Sequence, residues 1–231
     1  MSLPEEAIEL IIRECAAGIF GCETVSRFQM EGIRSLIFPQ KQHSSPHKNQ
    51  HCPCTCVFVG GGSGRSLIMN CAATIARGIT VHVVPNVSLG DVQIENFNQN
   101  VSQGIGIKAF HLETLGNTNE IQLVTDLRAL LEMTDSRTDR RLFARTSPIV
   151  LVATQQTLLD QKLPWFKLLI ELSEKPLIRL LTIDDAHKVV EDGITSRSEF
   201  VHLKTLMHQL NKFVPVLVTS ATSDNDYLRR F

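Results

Sequence analysis

Six short apolar runs, rich in Val, Ile and Leu and separated by stretches with helical patterning, most constrain what this 231-residue chain can fold into. They are Thr55–Val59, Ile79–Val84, Ile107–His111, Ile149–Ala153, Leu177–Ile183 and Val214–Thr219. Most are apolar throughout rather than at alternate positions, which suits strands covered on both faces. Such strands alternating with helices predict an α/β domain, a mostly parallel central sheet with helices on both sides. Ser2-Leu-Pro-Glu5 and Ser26-Arg-Phe-Gln29 have the form of capping boxes that open amphipathic helices, and a third helix is expected to start after Gly64.

The chain reads as one domain over residues 1–231, with polar insertions near 39–53 and 113–147 and no internal repeat. In the second insertion an apolar helical stretch, Ile121–Leu131, is followed by a polar tract holding Arg137, Arg140, Arg141 and Arg145. That tract suits either a solvated loop or a group that holds phosphates.

Charge decides what kind of partner this surface can draw. Lys plus Arg number 23 against 24 Asp plus Glu, a formal net charge of -1, so no global basic field pulls on nucleic acid and any such contact must be local. The chain has no run of 18 apolar residues, and its first residues carry Glu5 and Glu6 where a secretory signal carries bases. A soluble, intracellular protein without a membrane partner is the expectation, nuclear if the source is eukaryotic. Cys52, Cys54 and Cys56 follow His43, His47 and His51, which raises the question of a metal. Zinc sites usually place two or more residues between their cysteines, whereas these are separated by one, so free thiols at the start of a strand are expected.

The strongest chemical signal is Val59-Gly-Gly-Gly-Ser-Gly-Arg-Ser66, which directly follows a buried-strand pattern and directly precedes a helical one. Glycines let the backbone fold around phosphates with its N–H groups turned inward, and the helix N-terminus adds its dipole. Taken alone the segment could equally be a surface turn. Leu180-Leu-Thr-Ile-Asp-Asp-Ala-His187 is an apolar strand that ends in two carboxylates, at the sheet edge where open α/β folds place ligands. One such acid can hold hydrated Mg2+ and its neighbour can orient the attacking water. Ser220-Ala-Thr222 closes another apolar strand.

In order and spacing these segments resemble the motifs of superfamily 2 helicases, and of the RecQ group in particular. Phe20-Gly21, Gln29, Glu31 and Ile33 are similar to that group's upstream motif, and Pro85, Ser88, Leu89 and Gln93 to the pattern after its second strand. Asp184 to His187 resembles the D-E-A-H box, continued by Gly193, Arg197, Glu199 and Phe200 and then by Val214-Pro215-Val216. The similarity spans about Phe20 to Tyr227 and implies a RecA-like first helicase domain acting on DNA with ATP and Mg2+. It assigns Gln29 to adenine, and Gly61, Gly62, Ser63, Gly64, Arg65 and Ser66 to phosphates. Ser66 and Asp184 would hold Mg2+. Catalytic roles fall on Arg65, Asp185 and His187, while Pro85, Ser88, Thr154, Arg197, Ser220 and Thr222 would touch nucleic acid or couple it to nucleotide.

Two departures bear on activity. Arg65 stands where the family has lysine, and a planar guanidinium cannot place a compact charge between phosphates. Asp185 replaces the water-activating glutamate and is shorter by about 1.5 Å, where catalytic groups must lie within about 3 Å of their proton. Asp192 and Ser196 occupy positions where the RecQ group has aromatics that sense single strands. Nucleotide binding with impaired hydrolysis is therefore expected, in a fragment or degenerate copy of a DNA helicase. Its partners would be single-stranded or junction-containing DNA and a second RecA-like domain, which residues 1–231 are expected to lack. The alternative is a non-catalytic, nucleotide-responsive DNA-binding module. Another phosphate-loop protein, such as a small-molecule kinase, leaves the Asp-Asp-Ala-His and Ser-Ala-Thr segments without a use.

Overall fold

The structure, a computed structural model, describes residues 3–38, 54–60, 62–100, 106–133, 147–160, 162–187, 207, 209–210 and 214–221. Along the chain come α1 (Glu5–Phe20), α2 (Arg27–Ile37), β1 (Cys54–Phe58), α3 (Arg65–Ala76), β2 (Ile79–Val84), α4 (Val87–Asn100) and β3 (Lys108–His111). Next are α5 (Asn117–Met133), β4 (Ile149–Thr154), α6 (Gln155–Leu159), α7 (Trp165–Glu174), β5 (Ile178–Ile183) and β6 (Val216–Ser220). The strands form one six-stranded sheet in the order β1-β6-β5-β2-β4-β3, and every pairing is parallel.

All six expected strands are present, with bounds that agree within two residues. β2 shows why the pattern was readable: each of its residues from Ile79 to Val84 is buried, because helices cover the sheet on both sides. On one face Val81, Val83, Leu151, Leu181 and Val218 pack against Leu127 of α5 and against Trp165, Leu168 and Leu172 of α7. On the other, Val84, Val150, Val152, Leu180 and Leu217 pack against Ile12 of α1, Ile33 of α2, Ile68 of α3 and Phe97 of α4. Burying a side chain of this kind stabilises by about 1.5–3 kcal/mol, so the two apolar layers hold the sheet between them.

Helix starts follow local chemistry in two cases out of three. α3 opens directly after Gly64, whose φ of 83° suits glycine. At α2 the expected capping box is present, with the Ser26 backbone N–H donating to Gln29 Oε1 at 2.8 Å. The box at Ser2–Glu5 is corrected: the cap of α1 is Pro4, with no side-chain hydrogen bond, and Ser2 lies outside the described residues. Instead Glu5 and Glu6 sit in the first turn of α1, where the helix dipole favours negative charge. α5 contains the predicted stretch Ile121–Leu131 and extends it at both ends. The arginine tract from Arg137 to Arg145 lies outside the described residues. Among the described residues no helix is long and apolar enough to cross a membrane.

Candidate nucleotide and nucleic-acid edge

Because all strands run the same way, their C-terminal ends share one edge, and nearly every predicted site residue that is described lies along it. β6 sits between β1 and β5, with Phe58 opposite Ser220 and Ile183 opposite Val218. This register brings the glycine loop, the two aspartates and Ser220 together although they are far apart in sequence. Two further hydrogen bonds prolong the ladder into the loops, Val59 N–H to the Ser220 carbonyl at 3.2 Å and Asp184 N–H to the Val83 carbonyl at 2.9 Å.

The loop folds over itself, with Ser63 Oγ donating to the Gly60 carbonyl at 2.7 Å and with φ of 76° at Gly62. Gln29 closes it from α2. Its Nε2 donates to the Gly64 carbonyl at 3.1 Å while its Oε1 holds the cap of α2, and the residue is 7% exposed. A Cβ on Gly64 would come within 2.4 Å of Gln29 Nε2, so glycine is required there for close approach as well as for its φ. Gln29 thus lies beside the phosphate loop, with both ends of its amide bonded within the chain.

Arg65, at the first turn of α3, reaches across to β5 and pairs with Asp185: Nη2 to Oδ1 is 2.9 Å, with side chains only 15% and 14% exposed. The two residues that depart from the family pattern therefore hold each other. Asp185 takes φ of 47°, a left-handed conformation that Asp enters more readily than most residues. Arg65 Nη1 is buried without a hydrogen-bond partner, a donor that a bound anion would satisfy. Asp184 Oδ1 accepts from Thr219 Oγ1 at 2.5 Å and from the Asp185 N–H at 3.0 Å. His187 Nδ1 lies 3.1 Å from Ser220 Oγ, joining the Asp-Asp-Ala-His segment to the end of β6. Arg65, Ser66, Asp184, Thr219, His82 and Thr182 line a cavity of only about 10 Å3, room for about one water.

His82 is the residue that the sequence reading missed. It projects from the middle of β2 beneath Asp184, bonded through Nδ1 to Thr182 Oγ1 and fully enclosed. Desolvation lowers its pKa to about 4, and the nearby Asp184 charge raises it only in part. The clue was a lone polar residue in an otherwise apolar run, Ile-Thr-Val-His-Val-Val.

Farther along the edge, Val84 of β2 pairs with Thr154 of β4, which sets Pro85 and the exposed Ser88 of α4 beside Thr154. Thr154 is already engaged, however. Glu113, just beyond β3, accepts from both the Thr154 N–H and its hydroxyl through one oxygen, Oε1, at 2.5 and 2.7 Å. His111 stands between two acids, with Nδ1 bonded to Asp91 Oδ1 at 2.7 Å and Nε2 3.1 Å from Glu113 Oε2, the second contact an ion pair without hydrogen-bond alignment. Gly61, Arg197 and Thr222, and the positions Asp192 and Ser196, lie outside the described residues, as do Cys52 and the three preceding histidines. Cys54 and Cys56 are exposed and form no disulfide, their Sγ atoms lying 3.8 Å apart, and among the described residues no group of three metal-ligating side chains exists.

The fold is one shared with solved helicase structures. The chain superposes on a variant of S. cerevisiae Dbp5 bound to Nup159, Gle1 and ADP with a TM-score of 0.59 and 13% identity, covering 94% of this chain and 48% of that one. It superposes on the helicase MrfA bound to DNA and AMPPNP with a TM-score of 0.58 and 16% identity, covering 100% of this chain and 28% of that one. Over 176 residues it is 28% identical to a Caenorhabditis briggsae protein whose name proposes it as ATP-dependent DNA helicase Q1, covering 74% of this chain. The chain spans about a quarter of that relative's length, 25%. No protein-family profile matches.

Two predictions follow from this geometry. Removing one partner of a largely enclosed ion pair strands the other, at a cost of about 3 kcal/mol. Arg65→Ala and Asp185→Ala should each destabilise to that extent, and the double mutant by clearly less than the sum, in urea unfolding of all four proteins. Strict additivity would show that the pair contributes no coupling.

For His82 the sign is set by a folded pKa below the unfolded value of 6.5. As pH falls through 6.5 the unfolded chain takes up a proton that the folded chain refuses until about pH 4, so stability falls with pH across that window. Between pH 7 and pH 5 this amounts to about 2 kcal/mol. His82→Gln should lose that much less than the parent over the same interval, measured from urea midpoints.

Proposed function

We propose that this chain is the first RecA-like domain of a RecQ-type, ATP-dependent DNA helicase in which nucleotide binding survives and hydrolysis is impaired. The Arg65–Asp185 ion pair carries this reading. It places a cation and a carboxylate where the helicase resemblance puts the phosphate-binding and water-activating groups, and it sets them to neutralise each other.

The donor set fits Mg2+ and a nucleotide. Ser66 and Asp184 offer the hard oxygens that Mg2+ prefers, the buried Arg65 Nη1 offers a donor to an anion, and the loop N–H groups with the α3 dipole favour phosphate. When bound, Mg2+ would supply charge neutralisation at the phosphates. Gln29 would act on adenine only by giving up an internal bond, so its first role is to hold the loop. The His187–Ser220 and Asp184–Thr219 contacts are the routes by which nucleotide at this edge would be felt by strand β6. DNA would meet the same edge at Pro85, Ser88 and Thr154, with Arg197 and Thr222 as further contacts. A second RecA-like domain is the partner that a complete helicase site needs, and an intracellular, nuclear location fits a eukaryotic source.

A non-catalytic, nucleotide-responsive pseudo-helicase is the second reading. The small cavity beside Arg65 favours it, since Asp185 already holds Arg65 Nη2 and a nucleotide phosphate would have to share the guanidinium with that carboxylate.

Titration with a fluorescent ATP analogue and Mg2+ tests the nucleotide site. Asp185→Asn keeps the shape and removes the charge that holds Arg65, and should bind about tenfold more tightly than the parent, a change of about 1.4 kcal/mol. Equal binding by both proteins would show that the pair does not gate the site. Hydrolysis is tested by combining Arg65→Lys with Asp185→Glu in a protein that supplies a second RecA-like domain. DNA-stimulated phosphate release should rise by about 10²-fold or more, and either single change should give much less than half of that gain in logarithmic terms. A parent that already turns over as fast as the double mutant would mark Arg65 and Asp185 as working substitutes.

A further inference from the structure

We propose that Glu113 is a resident anion at Thr154, a carboxylate of the chain itself that holds the place of a nucleic-acid phosphate and must be displaced before nucleic acid can bind there. The inference rests on the reading of Thr154 as a backbone contact and adds to it a residue that sets how tightly nucleic acid is held.

A phosphate oxygen at this point would be bound by donors converging on one acceptor, and Thr154 provides two, its backbone N–H and its hydroxyl. Both are spent on a single oxygen of Glu113, at 2.5 and 2.7 Å. The arrangement is enclosed: Thr154 is 6% exposed and the Glu113 side chain 12%. No second oxyanion can reach these donors while the first is in place, because two negative charges would share one pair of hydrogens.

Glu113 is held there by the sheet. The Leu112 N–H bonds to the Val152 carbonyl at 2.9 Å, which extends the β3–β4 pairing by one step and delivers the next residue to the end of β4. His111 Nε2 lies 3.1 Å from the second carboxylate oxygen, and that ring is fixed by Asp91 on one side and by Gly90 beneath it, where a Cβ would come within 2.5 Å of Nε2. Asp91, with a side chain 58% exposed, faces the ring without bonding to Thr154, which makes it the control for a general charge effect.

The test is fluorescence anisotropy of the 231-residue chain with a labelled oligothymidylate over a range of salt concentrations. Glu113→Gln keeps an acceptor for both Thr154 donors and removes the charge. It should bind about tenfold more tightly, with a log–log salt slope steeper by about 0.7, the value for one added single-strand phosphate contact. Asp91→Asn should change affinity less than about twofold, since it adds no such contact. Adding Thr154→Val to Glu113→Gln should erase the gain. A parent that binds and a Glu113→Gln protein that binds no better would overturn this inference and leave the nucleic-acid reading intact. Equal tightening by Asp91→Asn, or a gain that survives Thr154→Val, would overturn it as well. If neither parent nor variants bind at low salt, the nucleic-acid reading fails and the inference falls with it. Should Glu113→Gln not fold, Glu113→Asp takes its place: a shorter reach should tighten binding about threefold, and unchanged affinity would count against the proposal.

Discussion

Because β6 lies between β1 and β5 and runs parallel to both, three segments far apart in the chain finish at one edge of the sheet. The contacts that join the glycine loop, the two aspartates and His187 across the edge depend on that pairing. Thr219 reaches Asp184, Ser220 reaches His187 and the Ser220 carbonyl receives the Val59 N–H, all from the last two residues of β6. A one-residue slip of β6 would turn Thr219 and Ser220 to opposite faces and undo these contacts together, since side chains alternate along a strand. The apolar layers on each side oppose such a slip, because Leu217 and Val218 fill different cores.

The second half of the edge, β2–β4–β3, repeats one electrostatic theme with different residues. Near the loop a carboxylate of the chain, Asp185, occupies the cation that would meet phosphate; beyond β4 another, Glu113, occupies donors that would meet a phosphodiester. Neither arrangement is a defect of packing. Both satisfy buried polar groups that would otherwise cost about 1–3 kcal/mol each if left without partners. On the proposed reading, ligands at this edge would compete with internal carboxylates rather than with water alone. Apparent affinity then reports the difference between two anions for the same donors, which is small by construction and easily moved by one substitution.

Much of the architecture was legible from the sequence for a definite reason. Strands covered on both faces are unbroken apolar runs, so β2 could be bounded to the residue, and β4 and β5 to within one. Chain order and the positions of glycine and aspartate drew attention to segments that the parallel pairing does bring to one edge of the sheet. Local chemistry was less dependable: Ser26 and Gln29 do cap α2, yet the same pattern at Ser2–Glu5 does not survive at α1, where Pro4 takes the cap. What could not be read were partners set by pairing between distant strands. His82 is a histidine under an aspartate only because β2 lies beside β5, and Glu113 meets Thr154 only because β3 lies beside β4. Gln29 was singled out for a base, and its observed partners are backbone groups of the loop.

The same limit applies to the two substitutions at the nucleotide edge, which the sequence presents as separate departures. Arginine is one bond longer to its terminal nitrogen than lysine, and aspartate is one methylene shorter than glutamate. The combined reach of Arg65 and Asp185 therefore equals that of a lysine and a glutamate, and here the two meet at 2.9 Å. A lysine opposite Asp185 would fall short by about the length of one bond, and a glutamate opposite Arg65 would be longer than the 2.9 Å contact needs by about as much. Either intermediate leaves a charge in a poorly hydrated place, where breaking one side of an ion pair costs more than the intact pair contributes. The pair is thus better understood as one charge contact made by two residues than as two separate departures from the resembled motif.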